Sequence, residues 1–172
     1  MRKILPGGPL LLLLTLALGC KPAPWITYAS PEGRYRILFP VQPTLQSQEA
    51  PGADGSKFQQ HMAMASDAGG AFYMVGYFDL GEAGFDLDQA PEAAVPKGGL
   101  ISKRAITLGR YPGRELRFIA TDPHGNEGFV VSRFYLVDKR VYVVQYIVPK
   151  SAGQELPDKA ARYFDSFQVE NQ

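Results

Sequence analysis

One cysteine, one tryptophan and two histidines are all that 172 residues contain of these types, and each scarcity removes a class of explanation. With Cys20 alone, no disulfide forms within the chain, so stability must come from an apolar core. His61 and His124 have no cysteine beside them and no His-x-His or His-Glu-x-x-His spacing, which leaves no transition-metal site and implies no metal or other cofactor. Charge of one sign is also missing, since 18 basic residues face 17 acidic ones. Without Arg2 and Lys3 the acids are one ahead, so the rest of the chain lacks the basic footprint that phosphate backbones require, and nucleic acid is excluded as a partner. The longest apolar run, 10–18, falls short of the roughly 20 residues needed to cross about 30 Å of hydrocarbon. Internal repeats and low-complexity stretches are absent from the sequence, and the length suits one domain with one core.

What is present begins with a leader. Arg2 and Lys3 precede the apolar run, which closes on Leu16-Ala17-Leu18-Gly19-Cys20. A basic start, a short apolar stretch and a small residue ahead of a cleavage point are the features of a secretory signal. The closing residues resemble the lipobox of bacterial lipoproteins, with Ala17 where the commonest form has leucine. The resemblance implies that residues 1–19 are a signal peptide and that Cys20 becomes the new N-terminus. Its thiol is then diacylated with chains such as palmitate, and its amine is often acylated too. Two or three chains anchor stably where one does not. Residues 20–24, including Lys21-Pro22-Ala23-Pro24, then form a short tether, and 25–172 form a single domain. Lys21, rather than aspartate, after the cysteine implies the periplasmic face of the outer membrane if the cell has one.

Beyond the tether, β-forming segments alternate with turn residues. Segments 25–29 and 34–39 flank Ser30-Pro31-Glu32-Gly33 and form an opening hairpin. Segments 45–50, 57–65 and 72–79 form a meander, and 101–108, 115–121, 128–137 and 141–148 a second series on short turns. Consecutive strands on short turns pair antiparallel. In 156–167, Leu156, Ala160, Phe164 and Phe167 recur at helical spacing, and Pro157 with Asp158 suits a first turn. Residues 86–97 give a shorter helix limited by Pro91 and Pro96. The expected fold class is α+β: an antiparallel sheet of about 8–9 strands in hairpins and meanders, with one short and one longer flanking helix.

Three stretches carry a further likeness: Ser30-Pro31-Glu32-Gly33-Arg34-Tyr35-Arg36-Ile37 with Phe39-Pro40, Tyr111-Pro112-Gly113-Arg114-Glu115, and Ala161-Arg162-Tyr163-Phe164-Asp165-Ser166-Phe167. They resemble segments of small bacterial envelope lipoproteins, and the order of elements is similar to the PsbP-like fold, a central antiparallel sheet flanked by helices. The resemblance implies a scaffold or binding role and supplies no catalytic residue.

The residues with chemical potential read mostly as structure. His124 lies in Asp122-Pro123-His124-Gly125-Asn126, where a hydrolase would use it as a general base oriented by Asp122, but these are also the residues a hairpin turn requires. Asp79, Glu82, Asp86, Asp88 and Glu92 make an acidic run without the ligand pattern of a calcium loop. Lys97, Lys103, Arg104, Arg110, Arg114 and Arg117 follow as a basic stretch that strand alternation divides between two faces. Met62, Met64 and Met74 read as core filler, not copper ligands. The longest stretch without strand pattern, 80–99, presents Phe85 beside Glu82 and Asp86. Together with His124 these residues form the expected surface for an envelope protein partner. The sequence therefore leads to a lipid-anchored, non-enzymatic binding or accessory module. A carrier of a small apolar ligand or lipid is the alternative, and a hydrolase using His124 a third.

Overall fold

A computed structural model describes residues 24–51, 57–81, 84–152 and 157–170. Ten strands and two helices follow in chain order among the described residues. They are β1 (Ile26–Ser30), β2 (Tyr35–Phe39), β3 (Thr44–Pro51), β4 (Lys57–Ser66), β5 (Phe72–Asp79), α1 (Ala90–Ala93), β6 (Leu100–Leu108), β7 (Tyr111–Thr121), β8 (Glu127–Val137), β9 (Arg140–Pro149), α2 (Pro157–Asp165) and β10 (Gln168–Val169), with a 3₁₀ turn at Lys150–Ala152 between β9 and α2.

The expected single sheet of 8–9 strands is corrected to two antiparallel sheets, of seven strands in the order β3-β4-β5-β9-β8-β7-β6 and of three in the order β1-β2-β10. The physical reason lies in the opening hairpin. In β2, Tyr35, Ile37 and Phe39 are buried while Arg36 points to solvent, so the hairpin lays one apolar face on the large sheet instead of extending it. The tenth strand has two residues, too few to show alternation, and pairs Gln168 with Arg36 and Val169 with Tyr35.

The helices are shorter than their sequence spans. Pro91 in its first turn and Pro96 beyond it confine α1 to four residues. The second helix stops at Asp165, where Ser166 Oγ donates to the Tyr163 carbonyl and accepts from Leu38 N–H. That exit lets Phe167 leave the helix axis and enter the core, where it is 3% exposed. Leu156 lies outside the described residues.

The main core lies between the two sheets, where Tyr35, Ile37, Phe39, Tyr163, Phe164 and Phe167 meet the inward positions of β4, β5, β8 and β9. The opposite face of the large sheet is partly covered by the 80–99 connection, whose Leu80 and Phe85 pack against Met74, Phe78, Val141 and Val143, and whose Val95 packs against Leu116, Phe118 and Val130. Strands β8 and β9 read as apolar on both faces because both faces are covered.

Candidate functional site

The turn between β1 and β2 is clamped onto the large sheet, and a cleft opens beside it. Gly33 sits where a side chain would meet the Tyr35 ring at 2.5 Å, so only glycine lets the turn close on Tyr35. The Gly33 carbonyl accepts from Tyr142 Oη at 2.7 Å, and the Glu32 carbonyl accepts from Arg140 Nη1 at 2.7 Å. Arg140 also makes a two-point pair with Asp79 at 2.6 and 2.7 Å and lies over the Tyr77 ring at 4.7 Å. Hydrogen bonding from Arg140 is the main cause that holds the Asp79 carboxyl below its ordinary pKa.

The cleft, about 100 Å³, runs between this turn and the β3–β4 edge and is lined by Tyr28, Ser30, Glu32, Tyr35, Ser47, His61 and Tyr77, among others. Ser47 and His61 are cross-strand partners, and Ser47 Oγ and His61 Nδ1 share a hydrogen bond of 2.8 Å. The imidazole lies nearly flat on Tyr77, with ring centres 4.9 Å apart and 17° between planes. Burial first, then the neighbouring charge of Glu32, raises the pKa of Tyr77, and burial with Glu32 likewise raises that of Tyr28 against a hydrogen bond from Ser30. Both phenols are therefore neutral donors at physiological pH. A space of this size, walled by hydroxyls, an imidazole and one carboxylate together with Leu45, Gln46 and Met62, suits a few waters or one small polar group.

A second cluster lies further along the same face of the large sheet. The Glu115 side chain is 1% exposed and accepts from Arg104 Nε at 2.9 Å, Arg117 Nε at 3.2 Å and Arg133 Nε at 2.7 Å. Burial pushes its carboxyl up, but the hydrogen bonds from Arg104 and Arg133, the Arg133 charge and the Arg117 hydrogen bond outweigh burial and bring its pKa down to about 2. Arg133 also stacks over the Phe164 ring at 4.3 Å, tying β8 to α2.

The basic stretch is divided between faces. Arg104 and Arg117 turn to Glu115 on one side, while Lys103 and Arg114 turn to the other, where Lys103 Nζ meets Glu92 at 2.6 Å and Arg114 Nε meets Asp88 at 2.7 Å. The acidic run and the basic stretch thus largely answer one another. Among the described residues, no group of three His, Cys, Asp or Glu side chains is arranged to hold a metal ion, and no described helix is long and apolar enough to cross a membrane.

Cys20 and Glu82 lie outside the described residues. Phe85 is half-buried, its ring edge-on to Phe78 with centres 5.9 Å apart. Asp86 Oδ1 accepts from the backbone N–H of Asp88 and Gln89, closing the turn ahead of α1. Asp122 spends its oxygens on its own turn, accepting from the backbone N–H of His124 and Asn126 and from Asn126 Nδ2. His124 is exposed beyond the Thr121–Glu127 pair, whereas Phe85 packs in a cluster with Phe134 and Leu136 toward the other end of β8, roughly 25 Å away at about 3.3 Å per residue. The structure does not bring His124 together with Phe85 and Asp86.

We expect Phe85→Ala to lower unfolding stability by about 2 kcal/mol, below the ~3–5 kcal/mol of a fully buried phenylalanine, with the midpoint of a urea titration as the measurement. An unchanged midpoint would make Phe85 free to serve as a partner anchor instead. Sequence reading passed over Glu115 and the Ser47–His61 pair. The signal for the latter lay in the turn-forming sequence Pro51-Gly52-Ala53-Asp54-Gly55 between the two strand segments, and the β3–β4 register sets Ser47 opposite His61. No protein-family model matches the chain, and a search of curated proteins finds no match.

Proposed function

We propose that the protein is a lipid-anchored protein of the bacterial cell envelope that works as a non-enzymatic binding or accessory module. The observation that carries this is the leader ending at the unique Cys20, with the packed domain beginning at Trp25, so few residues later that the domain stays close to the bilayer. Where the cell has an outer membrane, Lys21 favours its periplasmic face.

The disposition of the acids supports binding over catalysis. Asp67 answers Lys159, Asp79 answers Arg140, Glu115 answers three arginines and Asp122 answers its own turn, so these carboxylates hold the fold together. A cleft of about 100 Å³ with hydroxyls and an imidazole in its wall favours a small polar group over a carried lipid, for which several hundred Å³ of apolar space is typical.

Mass spectrometry of the mature protein is expected to find acyl chains on an N-terminal Cys20, and Cys20→Ser is expected to lose them. Cleavage elsewhere, or an unmodified Cys20, overturns the anchor.

A further inference from the structure

Most of the large exposed apolar side chains gather at one end of the molecule. Among the described residues the large ones are Val41, Leu45, Leu100 and Ile101, at 46%, 62%, 43% and 56% exposure. Strand register puts Leu100 and Ile101 at one end of the seven-stranded sheet, and Val41 lies at the same end, ahead of the Thr44–Met64 pair, whereas Leu45 is level with Val144, Glu115 and Arg104 in the middle of the sheet and lines the cleft. Leu45 is the second residue of β3, opposite Ala63, and Val41 lies in the link that brings the chain from Phe39 to Thr44. Leu100 opens β6 opposite Phe118, near the Thr121–Glu127 end of β7 and β8, and Ile101 follows it. The other end carries the turns with Arg34, Arg110, Asp138 and Lys139, all exposed and polar.

Trp25, the second described residue, belongs to the apolar end. Its ring stands edge-on to Tyr73, near the start of β5, and its neighbour Ile26 pairs with Phe39 at the close of β2. From Cys20 to Trp25 the chain spans at most about 18 Å, at ~3.3–3.6 Å per residue. Strands of 11 residues such as β7 and β8 run about 36 Å, so a tether of this reach holds the Trp25 end toward the bilayer and the charged end away from it. Arg162, stacked over Trp25 at 4.9 Å, and Lys97, just ahead of Leu100, add positive charge at this end. Of the acids nearby, Glu127 is paired with Lys150, while Asp122 keeps its charge on its own turn.

We propose that this end is a membrane-facing surface. Val41 at one corner, and Leu100 and Ile101 at the other, rest in the headgroup region of the bilayer that holds Cys20, with Arg162 and Lys97 toward lipid phosphates. The corners stand on the two edge strands, six spacings of ~4.8 Å or about 29 Å apart, so two contacts and a tether between them fix the orientation of the domain. The far end, with the 31–34 turn and the upper part of the polar cleft, then faces away from the membrane.

The proposal rests on Cys20 as the lipid anchor, and its test keeps the two apart. Full-length protein is purified from membranes, its acylation is checked by intact mass, and it is reconstituted into phosphatidylethanolamine–phosphatidylglycerol vesicles. Because native Cys20 is acylated, a thiol introduced as Val41→Cys, Ile101→Cys or Lys139→Cys takes a fluorescent label alone. Doxyl-labelled lipid is expected to quench labels at 41 and 101 several-fold more than the label at 139. Equal quenching at the three positions, in protein shown to be acylated on Cys20 and to float with vesicles, overturns the membrane-facing surface and leaves the anchor standing. An unacylated Cys20 overturns both. Labels at 41 and 101 that are shielded from aqueous quenchers in cells but untouched by lipid quenchers assign this end to a protein partner and also overturn the proposal.

Discussion

Replacing Glu115 by glutamine is expected to cost about 3 kcal/mol of unfolding stability, more than replacing any one of its three arginines. The wild-type side chain is 1% exposed, so its charge persists only because Arg104, Arg117 and Arg133 surround it. A pKa lowered from the ordinary 4.5 to about 2 corresponds to roughly 3 kcal/mol of preference for the folded state, in line with the ~3–5 kcal/mol that follows removal of one member of a buried ion pair. Arg104 and Arg117 are 59% and 39% exposed and relax into water when the carboxylate is gone. Arg133, 19% exposed and stacked on Phe164, has least room to relax and carries most of the penalty.

The same reasoning fixes a pH dependence. A carboxyl whose folded-state pKa is depressed stabilises fully above its unfolded pKa and loses that contribution as pH falls through the folded value. The Glu115 contribution is therefore present above about 4.5 and disappears between about 4.5 and about 2. Asp67 and Asp79 are also depressed, and their contributions act in the same direction. Chemical denaturation at pH 7 and pH 3 checks both points, because Glu115→Gln should show a shallower acid loss than wild type. A loss under about 1 kcal/mol at pH 7, with the wild-type acid slope retained, would show that the three arginines contribute nothing to folding through this carboxylate.

How far the sequence could be read depended on the range of the interaction. Turn chemistry is local, so Ser30-Pro31-Glu32-Gly33 and 122–126 were legible as turns between strands, and the antiparallel order followed. Helical spacing is local too, and it identified Phe164 and Phe167 as an apolar stripe before their burial was known. Which sheet a hairpin joins is not local. Alternation in β2 reads the same whether it extends the large sheet or lies across it, and only Tyr142 and Arg140, more than a hundred residues away, close the 31–34 turn onto that sheet. Glu115 was hidden for a related reason. A lone acid in a basic strand looks like surface charge until the β7–β8 register brings Arg133 opposite it and the β6–β7 register brings Arg104. His61 falls within the segment 57–65 that read as a strand, yet its bond to Ser47 and its stack on Tyr77 needed two registers at once.

Phe167→Ala is expected to be the most damaging single truncation in the main core, costing about 3–5 kcal/mol against the 5–15 kcal/mol of a typical domain. Its ring stacks on Tyr135 with centres 5.9 Å apart and 15° between planes, and meets Tyr142 at 5.6 Å and Tyr35 at 5.8 Å. These partners come from β8, β9 and β2, so one side chain joins both sheets where the chain passes from α2 into β10. Alanine leaves a cavity bounded by three tyrosine rings that cannot collapse, since Tyr35 is held in the closed turn and Tyr142 by its bond to the Gly33 carbonyl. At ~2–4 °C per kcal/mol for a domain of this size, the melting temperature should fall by roughly 6–20 °C. The tenth strand should loosen as well, because Phe167 anchors the turn that leads into the Gln168 and Val169 pairing with β2, leaving the Arg36–Gln168 and Glu170–Arg34 bonds to hold it. Hydrogen exchange at Glu170, whose N–H donates to the Arg34 carbonyl, should therefore accelerate in Phe167→Ala more than in Phe164→Ala, whose ring leans on Arg133 and Tyr163. Equal exchange at Glu170 in the two variants, or an unchanged melting temperature in the first, would place the link between the sheets elsewhere in the aromatic core.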